Sequence, residues 1–246
     1  MDLVHTLVQK FTQTLLLIGL RYFIFAGLFF LFFYVLFRQK VAPKKIQPEF
    51  PSRKDYRREV LYSISTMIIF SALSVLILTI PSFRQHTTLY TDLSLHSNGY
   101  FAFAFVLMFF MHDTYFYWMH RLVHHPVLFK TVHLLHHRST NPSPWAAYSF
   151  HPLEALFEFG IFVIFLFTLP VTIYHLGFFF LFMIIYNVYG HLGFELYPKN
   201  FNRHWFGKWV NTSVAHNAHH KYFKGNYGLY LSFWDRIMGT QHAESK

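Results

Sequence analysis

Four runs of apolar residues set the first limit on this chain. They are LLLIGLRYFIFAGLFFLFFYVLF (15–37), VLYSISTMIIFSALSVLILTI (60–80), YFAFAFVLMFFMHDTYFYWMH (100–120) and ALFEFGIFVIFLFTLPVTIYHLGFFFLFMIIYNVYG (155–190). A helix needs about 20 apolar residues to cross the hydrocarbon core of a bilayer. Inside lipid no water is available to backbone N–H and C=O groups, so a spanning segment is a helix or a strand of a closed barrel. Runs of this length without alternation predict helices. The fourth run is too long for one span, and Pro170 divides it, so a helical hairpin is expected there. The chain therefore reads as an all-α, multi-pass membrane bundle of about four to five helices or hairpins.

Composition agrees. Hydrophobic residues make up 54% of the chain and charged residues 13%, against roughly 25% charged in soluble domains. The first apolar run follows an N-terminus without a signal-peptide pattern and reads as a retained membrane helix. No cysteine is present, which excludes disulfides, thiolate zinc sites, iron–sulfur clusters and cysteine nucleophiles. The net charge is +10. Its positive residues sit in loops between apolar runs, a pattern the positive-inside rule explains, so no nucleic-acid partner is expected.

Those loops also orient the chain. Residues 38–58 are dense in Lys and Arg, whereas 81–98 hold a single Arg. The first loop is expected on the cytoplasmic side and the second on the far side. The third run then returns to the cytoplasmic side, and the hairpin comes back to it. Every dense histidine cluster falls on that one face, as a cytoplasmic helical cap. No linker or second domain stands out. Short loops and the lack of sorting signals point to a bacterial inner membrane ahead of an endoplasmic reticulum membrane.

Of 18 histidines, 14 lie between 112 and 220. They cluster as HRLVH (His120, His124), HLLHH (His133, His136, His137) and HNAHH (His216, His219, His220). Residues i and i+4 share a helix face. In His-x-x-His-His the i+3 and i+4 rings lie to either side of the first, about 100° apart. One triplet can thus give two nitrogens to one metal and the third to another. Two triplets and a pair make eight imidazoles, enough for two ions and too many for one structural zinc site. Burying so many unpaired imidazoles beside lipid for purely structural reasons is costly. Imidazole suits Zn, Cu, Fe and Ni. An all-nitrogen pair of sites with open positions suits iron that activates O₂, with zinc a possible substitute in purified protein.

His191 is a candidate ninth ligand, and His151, in SFHPLE, is a candidate site residue whose plainer reading is a turn before Pro152. Metal-bound imidazoles usually donate their other N–H to a carboxylate or carbonyl. Acidic residues are scarce, which singles out Asp113, Glu154, Glu195 and Asp235, with Glu158 nearby. His191 and Glu195 form an i, i+4 pair. His125 reads as a non-ligand. Lone histidines such as His5, His86, His96, His175 and His242 read as solvated or satisfied. Phe116, Tyr117, Trp118, Trp145, Tyr148 and Phe150 are candidate walls of a lipid pocket, or else interface and core aromatics.

At this point the chain resembles the fatty acid hydroxylase / sterol desaturase superfamily over about residues 100–240. The resemblance rests on DTYFYWMHRLVH (113–124), HLLHH, SFHPLE (149–154), NVYGH (187–191), HNAHH and NYGLYLSFWDRIMGT (226–240). It implies a non-heme di-iron enzyme that uses O₂ and two electrons to hydroxylate or desaturate a membrane lipid. His120, His124, His133, His136, His137, His216, His219 and His220 occupy positions of the family's ligands, and His191 falls near another. Some members carry a further histidine where this chain has Glu195. No His-Pro-Gly-Gly occurs, so a separate cytochrome b5-like or ferredoxin-like electron donor is expected. On this basis residues 1–95 read as membrane anchor helices and 96–246 as the catalytic domain. Two other classes are possible from the residues alone. A histidine-rich metal transporter would need polar residues lining its spans, which runs one to three nearly lack. A heme-binding electron carrier would place axial histidines within opposing spans.

Overall fold

The computed structural model describes residues 2–242. The described residues are helical with three isolated β-bridges and no strand. We number the helices that build the bundle and the site: α1 (Leu3–Phe30), α2 (Arg53–Thr79), α3 (Asn98–Val123), α4 (Leu134–His137), α5 (Pro152–Thr168), α6 (Ile173–Gly190), α7 (Ser213–Tyr222) and α8 (Phe233–Ile237). Helix α1 runs on through a π-helical turn, Leu31–Leu36. That continuous segment and helices α2, α3 and α6 are long and apolar enough to cross a membrane.

Each span turns only a narrow stripe inward. In α1 the buried residues are Ile18, Tyr22 and Ala26, four apart on one face. Leu16, Leu17, Leu20 and Ile24 stay exposed, which costs nothing when the solvent is acyl chain. The inward face of α2 carries Ser63, Thr66, Ser71 and Ser74. Runs one to three read as nearly free of polar residues, but these small hydroxyls line the bundle side of α2. Ser63 donates to the Trp145 carbonyl, as does the Tyr22 hydroxyl. Ser71 donates back to Met67 O within its own helix. Ser63 and Ser71 are thus spent on backbone carbonyls, whereas Ser74 lines the bundle cavity.

Helix ends follow local chemistry. A capping box of Ser52 and Asp55 starts α2. Helix α3 stops just before His125-Pro126, where the residue preceding proline is pushed out of the α region. Pro170 divides the fourth run: α5 ends at Thr168 and α6 starts after the Thr172 cap. At the hairpin turn, Thr88 donates its hydroxyl to Leu166 O and Leu169 O, satisfying carbonyls at the end of α5. His175 closes a capping box with Thr172, so this lone histidine is satisfied.

In α3 one row of residues four apart, Ala104, Met108, His112, Phe116 and His120, is buried. Apart from His112 the row is apolar, and its end delivers His120, the first of the clustered histidines, to the membrane edge. The segments 124–151 and 191–242 form the cap around that edge. The buried Glu59 carboxylate, at the start of α2, takes a very short hydrogen bond from Ser143 of the cap. Lys45 donates to Asn141 at 2.8 Å, and burial pushes its amine down to about 8.

Helices α3 and α5 meet closely at Gly160, where the Tyr115 hydroxyl occupies the space a Cβ would need and donates to Phe157 O at 2.5 Å. Gly160→Val is expected to lower the melting temperature in nanodiscs by several degrees, because overpacking costs about 1–3 kcal/mol. An unchanged or raised melting temperature would contradict this packing.

Candidate metal centre

Nine histidines meet beneath the bundle. His120 closes α3 and His124 caps it. His133 ends a π-helical turn, and His136 and His137 lie in α4. His191 follows α6 directly, and His216, His219 and His220 lie on α7. They divide into two groups: His120, His124, His133, His137 and His219, and His136, His191, His216 and His220. Within each group the candidate ligand atoms lie within 4.8 Å of one another, close enough to hold a metal ion. The groups abut, with the His137 and His220 rings 4.9 Å apart.

The triplets are shared reciprocally. HLLHH sends His133 and His137 to the first group and His136 to the second. HNAHH sends His216 and His220 to the second and His219 to the first. In both, the i and i+4 rings stay together while the i+3 ring crosses over. Helix geometry allows this division, since i+3 and i+4 diverge by about 100°. His191 belongs to the second group, whereas His112 and His125 belong to neither. His112 instead contacts the Tyr230 hydroxyl at 3.0 Å.

The outward nitrogens decide the state of the inward ones. Nδ1 of His120 faces Tyr227 O at 2.9 Å, that of His136 Ser149 O at 3.3 Å, that of His191 Asn187 O at 2.8 Å and that of His219 Gly225 O at 2.7 Å. A carbonyl only accepts, so each Nδ1 carries the hydrogen and a neutral ring keeps a bare Nε2. His133 Nδ1 lies 2.7 Å from Glu154 Oε1 and donates to that carboxylate. The Nε2 atoms of His136 and His191 then face each other at 3.4 Å with no proton between them. His191 Nε2 is also 3.0 Å from His216 Nε2 and 3.2 Å from His220 Nε2. In the first group His124 Nε2 stands 3.0 Å from His137 Nε2 and 3.2 Å from His219 Nε2. Converging lone pairs repel, and a cation among them turns the repulsion into ligation. Nδ1 of His137 and of His220 has no hydrogen-bond partner among the described residues.

Burial keeps the rings neutral. Loss of solvation, reinforced by neighbouring imidazoles, holds His133, His136, His137, His216 and His220 well below the usual histidine range. Burial pushes His191 down to about 4. At neutral pH these side chains are unprotonated, the form that binds metal. An all-imidazole, neutral, convergent donor set fits a pair of divalent transition-metal ions.

Of the expected supporting residues, Glu154 alone touches a clustered imidazole. Asp113 instead accepts from Tyr230 N and Leu231 N, each at 3.0 Å. Asp235 accepts from Tyr227 N at 2.9 Å and Gly228 N at 2.8 Å. Both hold the 225–231 loop, whose carbonyls receive His120 and His219. Glu195 does not pair with His191. It accepts from Tyr189 Oη, Tyr197 N and Val214 N, which ties the start of α7 to the end of α6. His151 caps α5 by accepting from Leu153 N at 3.2 Å and joins neither group. These placements share one cause: backbone amides at loop and helix starts need acceptors, and these side chains supply them. The backbone acceptors Ser149, Asn187, Gly225 and Tyr227 escaped the sequence reading, since any residue type offers a carbonyl. The Gly225-Asn226 turn, with both residues at positive φ, was the one visible signal.

A cavity of about 560 Å³ lies inside the bundle and ends at residues that adjoin the second group. Tyr148, Phe150, Phe159, Phe162, Met183 and Asn187 are among its walls. The Phe150 ring is 5.2 Å from His136, and Asn187 is the residue whose carbonyl receives His191. Tyr148 and Phe150 were expected wall residues. Phe116, Tyr117, Trp118 and Trp145 do not line it; Tyr117 and Trp118 pack on Trp234, and Trp145 on Tyr22 and Phe30.

Purified chain is expected to carry about two transition-metal ions by elemental analysis, one per histidine group. His136→Ala and His219→Ala each disturb a different group and are each expected to lower that content by about one ion. Full retention in both variants would refute ligation by these nitrogens.

The fatty acid hydroxylase family model matches residues 105–240. A Delta(7)-sterol 5(6)-desaturase of Gibberella zeae is 32% identical over 171 residues, covering 68% of this chain and 51% of that protein. Lathosterol oxidase of Rattus norvegicus is 29% identical over 194 residues, covering 76% and 62%. A Delta(7)-sterol 5(6)-desaturase of Aspergillus fumigatus is 30% identical over 220 residues, covering 89% and 58%. The chain thus spans about half to three fifths of the length of these curated relatives. No solved structure matches it significantly. With the matched region covering both histidine triplets, Glu154 and the loop that receives their outward nitrogens, the chain belongs to the fatty acid hydroxylase / sterol desaturase superfamily.

Proposed function

We propose that the chain is a membrane-bound, O₂-dependent lipid oxidoreductase that desaturates a sterol-type lipid at a pair of iron ions held by the nine clustered histidines. One observation carries the reading. A cavity within the bundle ends against Phe150 and Asn187, beside His136 and His191 of the second group. The names of the relatives, sterol desaturases and oxidases, support the substrate class. The same cavity argues against a transporter, because its wall is overwhelmingly apolar and offers an ion no path.

The balance requires O₂, two protons and two electrons from outside: a –CH₂–CH₂– unit becomes –CH=CH– and two waters form. Bound iron supplies the O₂ activation that removes hydrogen from an unactivated C–H bond. The residues of the chain do the rest. His120, His136, His191 and His219 are held by backbone carbonyls, and His133 by Glu154, so the donor nitrogens stay aimed without rearrangement. Phe150 and Tyr148 keep the approach dry and position the lipid. Residues 96–246 carry the chemistry, and 1–95 anchor it and add Ile18 and Phe70 to the cavity wall. The electrons come from a separate one-electron donor of the cytochrome b5 or ferredoxin class, which docks on the cap.

Eight Lys and Arg between 38 and 58 support a cap on the cytoplasmic side. The cysteine-free chain allows a direct check. Thr140→Cys, exposed on the cap, should react with a membrane-impermeant thiol reagent only after the cytoplasmic face is opened, and Ser94→Cys, exposed in the opposite loop, without it. The reverse labelling would invert this topology.

For the activity, nanodisc-reconstituted chain with a reductant and donor should produce a sterol-type lipid lighter by two hydrogens in mass spectrometry. His136→Ala and His219→Ala should each lower that yield at least about a hundredfold, the scale on which metal-site lesions act. Undiminished turnover after metal stripping would sink the assignment. Gain of one oxygen with no new double bond would replace desaturation by hydroxylation.

A further inference from the structure

The cavity has one chemical irregularity. Its wall is apolar except at a few points, and two of them are ionisable: Arg21 of α1 and Glu158 of α5. The ion pairs among the described residues are Arg58–Asp55 and His133–Glu154. Arg21 and Glu158 take part in neither, and no described residue hydrogen-bonds to either side chain. Both nevertheless act on the same spot. Burial raises the Tyr148 hydroxyl to about 12, with Arg21 pulling it down and Glu158 pushing it up. A carboxyl without a partner inside a membrane bundle is costly, and such residues mark functional sites. Neither group contacts the histidines, so ligation gives neither of them a role.

Their level in the bundle is informative. Glu158 stands four residues after Glu154, the partner of His133, and so one turn or about 6 Å further from the metal groups. Arg21 precedes Tyr22, which bonds the Trp145 carbonyl at the edge of the cap. Asn187 lies at the same end. The opposite end of the cavity is formed by Leu78, Ile173 and Tyr174. Along α6, from Asn187 to Ile173, the cavity extends roughly 21 Å. It is thus a long apolar chamber with its charged groups at the metal end. Its volume falls in the range of pockets that enclose a whole small molecule, roughly 300–1,000 Å³. At its rim Leu17, Ile173 and Phe178 are exposed on the lipid-facing side, which leaves a lateral way in from the bilayer.

We propose that Glu158, helped by Arg21, determines specificity for a membrane lipid with a single hydroxyl on a rigid apolar body. The hydroxyl donates to a Glu158 carboxyl oxygen and accepts from the Arg21 guanidinium, and the apolar body lies along α5 and α6 away from the metals. The oxidised carbons then lie within a few bonds of the hydroxyl, at the near end of the lipid. A lipid whose reactive carbons are far from its polar group is excluded, because the polar end would have to sit among Leu78, Leu176 and Phe162. This inference rests on the lipid-oxidoreductase reading and names its substrate class and reacting end.

The test is equilibrium binding, which needs neither turnover nor an electron donor. Metal-loaded full chain in nanodiscs is titrated with cholestanol and with cholestanol 3-methyl ether, which lacks the donor hydrogen. Wild type should bind the alcohol on the order of tenfold more tightly, the worth of about one hydrogen bond. Glu158→Leu should bind the two equally and melt at a higher temperature, since it removes an unpartnered carboxyl from apolar surroundings. Glu158→Gln, which still accepts a hydrogen bond, should keep part of the preference. Equal binding by wild type, no binding of cholestanol, or a preference that survives in Glu158→Leu overturns the proposal. So does a Glu158→Leu chain that melts lower and loses both ligands alike, the mark of a structural residue. If wild type shows the preference yet no sterol is oxidised with donor and O₂ supplied, the function reading fails while the binding site stands. Lipid oxidation without any hydroxyl preference has the opposite meaning.

Discussion

Lone pairs that face one another across about 3 Å need a cation between them, and this requirement organises the structure. His136 and His191 each give their outward hydrogen to a backbone carbonyl, so neither can offer a proton to the other. The rings have to be neutral, and burial makes them so. They have to be fixed, and carbonyls from four separate segments fix them: residues 149, 187, 225 and 227. Those carbonyls in turn depend on Asp113, Asp235 and Glu195, which hold the loops and the start of α7. Charge is thus placed one layer behind the imidazoles, where it stiffens the framework without competing for metal.

The membrane part serves the same requirement. Lipid does not drive the spans together, so close contact rests on small residues and shared hydrogen bonds. The Ser/Thr stripe of α2, Tyr22 and Gly160 provide them. The bundle encloses a chamber between α1, α2, α5 and α6. Its walls come from segments far apart in sequence, from Ile18 to Asn187. The chamber therefore runs through the protein interior from lipid-facing residues to Phe150 and Asn187, the neighbours of His136 and His191.

Much of this is legible in the residues. Apolar length located the spans, and Pro170 divided the hairpin where α5 and α6 part. Histidine spacing singled out His120, His124 and both triplets, because 3.6 residues per turn is a local rule. The roles of Asp113, Glu195 and Asp235 were not legible. Asp113, Glu195 and Asp235 serve backbone amides that the folded chain brings near, and His151 takes the local turn position of its plainer reading. Phe116, Tyr117, Trp118 and Trp145 suffered similarly. An aromatic close to a histidine in sequence faces the cavity or the bundle according to packing, and sequence distance does not decide which.

By itself the sequence determined what depends on short-range geometry: helical spans, their limits at proline, and which imidazoles share a helix face. The tertiary structure alone decided what depends on distant segments meeting. It assigned i and i+4 of each triplet to one group and i+3 to the other, and it supplied the carbonyls that set each ring's tautomer. It also brought Arg21 and Glu158, 137 positions apart, to one end of one chamber. The reason is physical. Helix periodicity is enforced by hydrogen bonds four residues apart, whereas the neighbours across a bundle are chosen by the packing of the whole chain.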